Sequence, residues 1–291
     1  MHNPTCPDWA EALLNGFSQI FLQRHPLCGL LCLLAILISA PALLGGALLG
    51  GVAGLLTAQR RGYPKAERQA GLYSYNAVLL GLLISQSFPW SALLPPLILA
   101  GGGVSAMLTR QWLKHASQPD DLPAYTAPFV GLGWLLLGSA PPGEVDRIGA
   151  DILGLLSAPF TGLAQVMLLD QPLAGGLIAL GLWLASRRAA LWALAGAGSG
   201  ALLALGLGET PHALLGLHSY NPALAALALS QISHRTWLPL AGILLAILLT
   251  PGFAALHLPA LTAPFILACW LVRASRRMLR KPRMDSPFES P

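Results

Sequence analysis

The side chains in this sequence that could do chemistry are amides and hydroxyls, and they come in pairs. Gly16-Phe17-Ser18-Gln19-Ile20-Phe21 is matched by Gly162-Leu163-Ala164-Gln165-Val166-Met167, and Pro26-Leu27-Cys28-Gly29 by Pro172-Leu173-Ala174-Gly175. Gly71-Leu72-Tyr73-Ser74-Tyr75-Asn76 returns as Gly216-Leu217-His218-Ser219-Tyr220-Asn221. Leu122-Pro123-Ala124-Tyr125-Thr126-Ala127-Pro128-Phe129 returns as Leu258-Pro259-Ala260-Leu261-Thr262-Ala263-Pro264-Phe265. The offsets are 146, 146, 145 and 136, so order is kept and only the connections differ in length. Chance likeness between leucine-rich segments would not bring Pro, Thr, Asn and Gln into register. Gln offers one acceptor and two donors, and Thr one donor and two acceptors. Such groups trade hydrogen bonds with an uncharged polar solute.

Acid–base, nucleophilic and metal chemistry find little support. No HExxH, GxSxG or phosphate-binding loop occurs, so an enzyme is not expected. None of the acidic residues (Asp8, Glu11, Glu67, Asp120, Asp121, Glu144, Asp146, Asp151, Asp170, Glu209, Asp285 and Glu289) lies mid-span. Ion-coupled pumps usually keep carboxylates inside the membrane, so downhill movement without a coupling ion is the expectation. Cys6, Cys28, Cys32 and Cys269 show no CxxC spacing and read as small packing residues. No cofactor and no metal are expected.

The elements that must position the paired residues are membrane helices. Of 291 residues, 55% are hydrophobic and only 10% charged, and the mean hydropathy is +0.63. A soluble domain carries roughly 25% charged residues, so this chain cannot coat a water-facing surface. Apolar runs lie near 27–40, 42–57, 71–86, 91–109 and 123–139, and again near 173–186, 189–207, 213–231, 237–250 and 259–272. In hydrocarbon a lone segment must satisfy its own backbone, so these are read as helices. Shorter apolar stretches near 12–22 and 151–168 precede each set and end at Arg24-His25-Pro26 and Asp170-Gln171-Pro172. Each is read as a re-entrant half-helix, because Pro disfavours helix at the residue before it.

Charge tests the count. The net charge of +5 does not point to nucleic acid, because the basic residues sit in short loops and at the C-terminus. With the C-terminus inside and sides alternating over ten spans, sixteen of seventeen basic residues fall on the cytoplasmic side; only Arg147 falls outside. The polar start, Met1 to Glu11, lacks a basic n-region, so no cleavable signal is expected. The expected fold class is all-α: a polytopic membrane protein of ten transmembrane helices plus two re-entrant half-helices. The units are residues 1–145, residues 146–273 and a cytoplasmic tail, 274–291. Five spans per unit is an odd number, so the two copies enter from opposite sides. In such inverted repeats the substrate site lies near the midplane at the repeat interface.

The four motifs resemble those of the urea transporter family, and the likeness covers nearly the whole chain. The Leu-Pro-x-x-Thr-x-Pro-Phe element, present twice, is the most specific of them. The resemblance implies a passive channel-type transporter for urea, with a homotrimer, one pore per protomer and the lipid bilayer as surroundings. It carries substrate contact to Gln19 and Gln165, with Ile20 and Val166 after them, and to the mid-pore threonines Thr126 and Thr262. Tyr75 with Leu79, and Tyr220 with Leu224, match the flat walls, and Leu22 and Leu168 follow the glutamines by three. Some bacterial members carry Glu where this chain has Gln165, and Phe where it has Tyr75 and Tyr220.

Blander roles are assigned to other residues. Asn76 and Asn221 are read as helix braces, His218 as structural, and Trp90, Trp112 and Trp237 as membrane-belt anchors. A channel for another small neutral solute, such as a short amide, water or ammonia, is the alternative. An ammonia channel would be expected to pair histidines in its spans, and no such pair is seen. Short loops suggest a bacterial inner membrane.

Overall fold

The computed structural model describes residues 8–116, 121–138 and 152–280. Cys6, Arg147, the proposed unit boundary at 145/146 and the tail beyond Arg280 lie outside the described residues. Within them the chain is helical. The first half holds α1 (Asp8–Gln19), α2 (Pro26–Ser39), α3 (Pro41–Arg60), α4 (Lys65–Gln69), α5 (Tyr75–Ser87), α6 (Leu94–His115) and α7 (Ala127–Leu137). The second holds α8 (Ile152–Gln165), α9 (Pro172–Ala185), α10 (Arg187–Gly206), α11 (Thr210–Leu214), α12 (Tyr220–Ser230), α13 (Trp237–Ala255) and α14 (Ala263–Arg280).

Local chemistry sets these boundaries. Pro26 and Pro172 each open a helix, where the missing N–H costs nothing, and α2 gains a cap as His25 Nδ1 accepts from the Cys28 amide at 3.2 Å. Single residues, Ala40 and Ser186, separate α2 from α3 and α9 from α10. Small residues then let helices touch. A Cβ at Gly50 would lie 2.1 Å from the Ala77 carbonyl oxygen, and one at Gly196 would lie 2.4 Å from that of Pro222. Thus α3 packs backbone to backbone on α5, and α10 on α12. The two halves meet where α2 packs on α9 and α7 on α14.

Three expected spans are shorter than the apolar runs suggested: the run near 123–139 yields an 11-residue α7 that starts only after the turn at Tyr125 and Thr126, and two others are cut by a glycine turn. The run near 71–86 yields a 13-residue α5, and that near 213–231 yields an 11-residue α12. Short helices α4 and α11 and a turn stand before them. Gly71 (φ 77°) and Gly216 (φ 70°) make those turns, and a Cβ at either would lie within 2.6 Å of backbone in α1 or α8 beside it. A 13-residue helix is about 20 Å long, short of the roughly 30 Å hydrocarbon layer. Among the described residues three helices, α3, α10 and α13, are long and apolar enough to cross a membrane by themselves. Trp112, expected only as a belt anchor, stacks on Trp270 with ring centroids 5.3 Å apart and donates to the Leu122 carbonyl at 2.9 Å.

Candidate functional site

Helices α1 and α8 end alike. The amide of Leu22 donates to the Gln19 carbonyl at 2.9 Å and that of Gln23 to the Ser18 carbonyl at 3.1 Å. Leu168 donates to Gln165 at 3.0 Å and Leu169 to Ala164 at 3.2 Å. This double closure requires a left-handed residue, a place usually taken by Gly. Here it is Leu22 (φ 56°) and Leu168 (φ 60°). Holding a Leu there costs roughly 1–2 kcal/mol. Both leucines are half-buried, whereas Ile20 and Val166 are buried in the core. The first exit is further pinned by Ser18, whose hydroxyl donates to the Gln23 carbonyl at 2.8 Å; Ala164 cannot do this.

The threonine motifs also end in strained turns. Tyr125 and Leu261 both have φ 42°, and the amides of Ala127 and Ala263 each close a turn at 3.0 Å on the carbonyls of Ala124 and Ala260. Thr126 and Thr262, which follow, lie 136 residues apart in sequence, yet their hydroxyl oxygens meet at 2.6 Å. Both are nearly fully buried, at 2% and 3% exposure. One hydroxyl donates to the other, so one proton and several lone pairs stay free for another partner.

Each strained carbonyl is held. The Tyr75 hydroxyl donates to the Tyr125 carbonyl, and the Asn221 amide donates to the Leu261 carbonyl at 3.0 Å. Asn221 also accepts from the Phe265 amide at 3.1 Å, so it braces the start of α14 as expected. The polar tip of Tyr75 is therefore engaged by the chain itself. Tyr220 is half-buried at the start of α12, and Leu79 and Leu224 are buried on α5 and α12.

A cavity of about 290 Å³ that reaches Tyr125, the residue before Thr126, is lined by Gln19, Leu22 and Tyr75, with Thr109, Asp121 and Arg273. Three of the expected site residues thus share one space. Gln165, Leu168 and Tyr220 take the matching places at the ends of α8 and the start of α12. The Arg273 guanidinium donates to the Asp121 carbonyl at 3.1 Å, which ties α14 to the segment leading into Thr126. Glu67 and Arg110 pair at 3.0 Å beside Tyr73, and His218, the counterpart of Tyr73, sits 2.8 Å from Glu209. Among the described residues no three His, Cys, Asp or Glu side chains converge to hold a metal ion.

Sequence reasoning missed one pair. The Trp134 indole donates to the Pro259 carbonyl at 2.8 Å, and the Trp270 indole to the Pro123 carbonyl at 2.9 Å. Each tryptophan reaches from one half to the threonine turn of the other. The signal was present, since the offset of 136 that joins the two threonines also joins Trp134 to Trp270.

Comparison with known proteins agrees with the motifs. Residues 10–277 match the family model described as urea transporter. Urea transporter 1 of Mus musculus is 28% identical over 303 residues, covering 91% of this chain and 75% of that protein. The Ovis aries protein of the same name is 27% identical over 299 residues (92% and 77%). That of Rattus norvegicus is 28% identical over 297 residues (91% and 75%).

Proposed function

This chain belongs to the urea transporter family, a family of multi-pass membrane transporters and not of enzymes, and on that premise we propose that it conducts urea passively through one narrow pathway in each protomer. The observation that carries the reading is the meeting of Thr126 and Thr262 at 2.6 Å in a buried setting. Urea is flat and neutral, with four N–H donors and one strong acceptor. Each hydrogen bond it gives up on leaving water costs roughly 1–3 kcal/mol, and duplicated hydroxyls and amides replace those bonds one at a time. Gln19 and Gln165 stand before the constriction, Ile20, Val166, Leu22 and Leu168 border it, and Tyr75, Leu79, Tyr220 and Leu224 supply the flat apolar contact. A bare ion finds no counter-charge at the threonines and is excluded by its desolvation cost.

The architecture belongs to the same proposal. Ten spans and two half-helices form two inverted units, 1–145 and 146–273, with both termini cytoplasmic, a cytoplasmic tail from 274, and protomers grouped as homotrimers. The matching order and lengths of α1–α6 and α8–α13 support it, as do the reciprocal Trp134 and Trp270 bonds. Short loops suit a bacterial inner membrane.

Stopped-flow light scattering on proteoliposomes, with gradients of urea, acetamide, ammonia and water, tests the function. Urea permeability well above that of empty vesicles, and above acetamide, is expected. Equal permeability to all four solutes would sink the proposal in favour of a general small-solute channel.

A further inference from the structure

A second cavity, of about 310 Å³, lies between the start of α10 and the link from α12 to α13. Its polar lining is Ser186, Arg188, Ser230, Gln231, Ser233 and His234, and no lining residue is acidic. Arg188 is clamped across it. One terminal nitrogen donates to the Ser233 carbonyl at 2.7 Å and the other bonds His234 Nδ1. With Nδ1 accepting from the guanidinium, the imidazole proton sits on Nε2, which becomes a donor. The Arg188 Nε is buried without a hydrogen-bond partner. The pocket therefore offers spare guanidinium N–H groups, an imidazole N–H, an amide and hydroxyls, with no carboxylate to compete. That is the chemistry of a phosphate site.

The surroundings select the source of the phosphate. Arg187 stacks over Trp183, with 5.7 Å between the guanidinium carbon and the ring centroid. Trp183, Leu184, Trp237 and Leu240, at the ends of the helices that frame the pocket, are all exposed, which suits a surface facing acyl chains. Arg187, Arg188 and Arg235 belong to the face assigned to the cytoplasm. The matching end of the first half, at Ala40, Pro41 and 85–88, has no basic residue. We propose that this pocket binds the phosphate headgroup of an anionic phospholipid in the inner leaflet. The inference rests on the membrane orientation given above, not on the identity of the transported solute.

Native mass spectrometry of the full chain, titrated with phosphatidylglycerol or phosphatidylcholine, tests it without measuring transport. Wild type should retain phosphatidylglycerol preferentially. Arg188→Gln, which removes one basic contact at an anionic surface, and His234→Gln, which removes one imidazole N–H donor, should each weaken that retention by about five-fold. Arg60→Gln, on the same face but outside the pocket, should leave it unchanged. If Arg188→Gln does not fold, His234→Gln, in an exposed loop, decides. Equal retention of both lipids, unaltered retention in both pocket variants, or an equal loss in Arg60→Gln would each overturn the proposal. Displacement of phosphatidylglycerol by equimolar inorganic phosphate would assign the pocket to the free anion and overturn the lipid source.

Discussion

Thr126 and Thr262 satisfy each other, so their removal has an uneven effect. Changing one to Val strands the other hydroxyl in a buried site, at about 1–3 kcal/mol, whereas replacing both with an apolar group of the same shape is nearly neutral. Thermal unfolding should therefore place Thr126→Val below the Thr126→Val/Thr262→Val double variant. Flux should rank differently: the double variant should lose about ten-fold in urea permeability, since each 1.4 kcal/mol of lost hydrogen bonding is one decade. Full flux in the double variant would make the pair structural. Leu22 and Leu168 invite a second prediction. A left-handed Leu is kept in both halves although Gly fits that backbone better, which points to use of the side chain. Leu22→Gly should shift stability by no more than about 1 kcal/mol while raising acetamide permeability relative to urea. An unchanged ratio would remove Leu22 from the selective path.

At the scale of elements, the turns before α5 and α12 hold α1 and α8 in place. Gly71 combines a positive φ with backbone 2.3 Å from where its Cβ would stand, whereas Gly62 has φ 64° and open space. Gly62→Ala should lose about 1 kcal/mol from conformation alone. Gly71→Ala must also push α1 aside and should lose at least about 3 kcal/mol. Melting temperatures in one detergent compare the two, and similar shifts would mean that α1 tolerates displacement. The reciprocal tryptophan bonds act at this scale too, because each joins a helix of one half to the threonine turn of the other.

For the whole molecule, the proposal that the halves enter from opposite sides is tested by labelling. Single cysteines at Ser87 and Leu207 should react with a membrane-impermeant maleimide only from outside, and those at Arg60 and Arg235 only from inside. All four residues are exposed. Cys28, Cys32 and Cys269 are buried, so only Cys6 needs replacement by Ser. Labelling of Ser87→Cys and Leu207→Cys from opposite sides would rule out the inverted arrangement.

By itself the sequence determined the helical class, the family and the doubled motifs, because each follows from local identity: apolar length, charge at loop positions, and Pro, Gly, Gln and Thr in register. It also placed the starts of α2 and α9, since Pro26 and Pro172 fix where a new helix begins. It overran α5 and α12, because hydropathy cannot register a turn whose residues are as apolar as the helix that follows; Gly71 and Gly216 bend the chain while Leu72 and Leu217 keep the run apolar. Only the tertiary structure decided that Thr126 and Thr262 touch, that Tyr75 spends its hydroxyl on the Tyr125 carbonyl, and that each half is bonded to the other through Trp134 and Trp270. Those contacts join residues from 50 to 147 positions apart, and several of them fall on turns whose backbone is in a rare conformation. Both depend on where packed helices meet rather than on any residue's own preference.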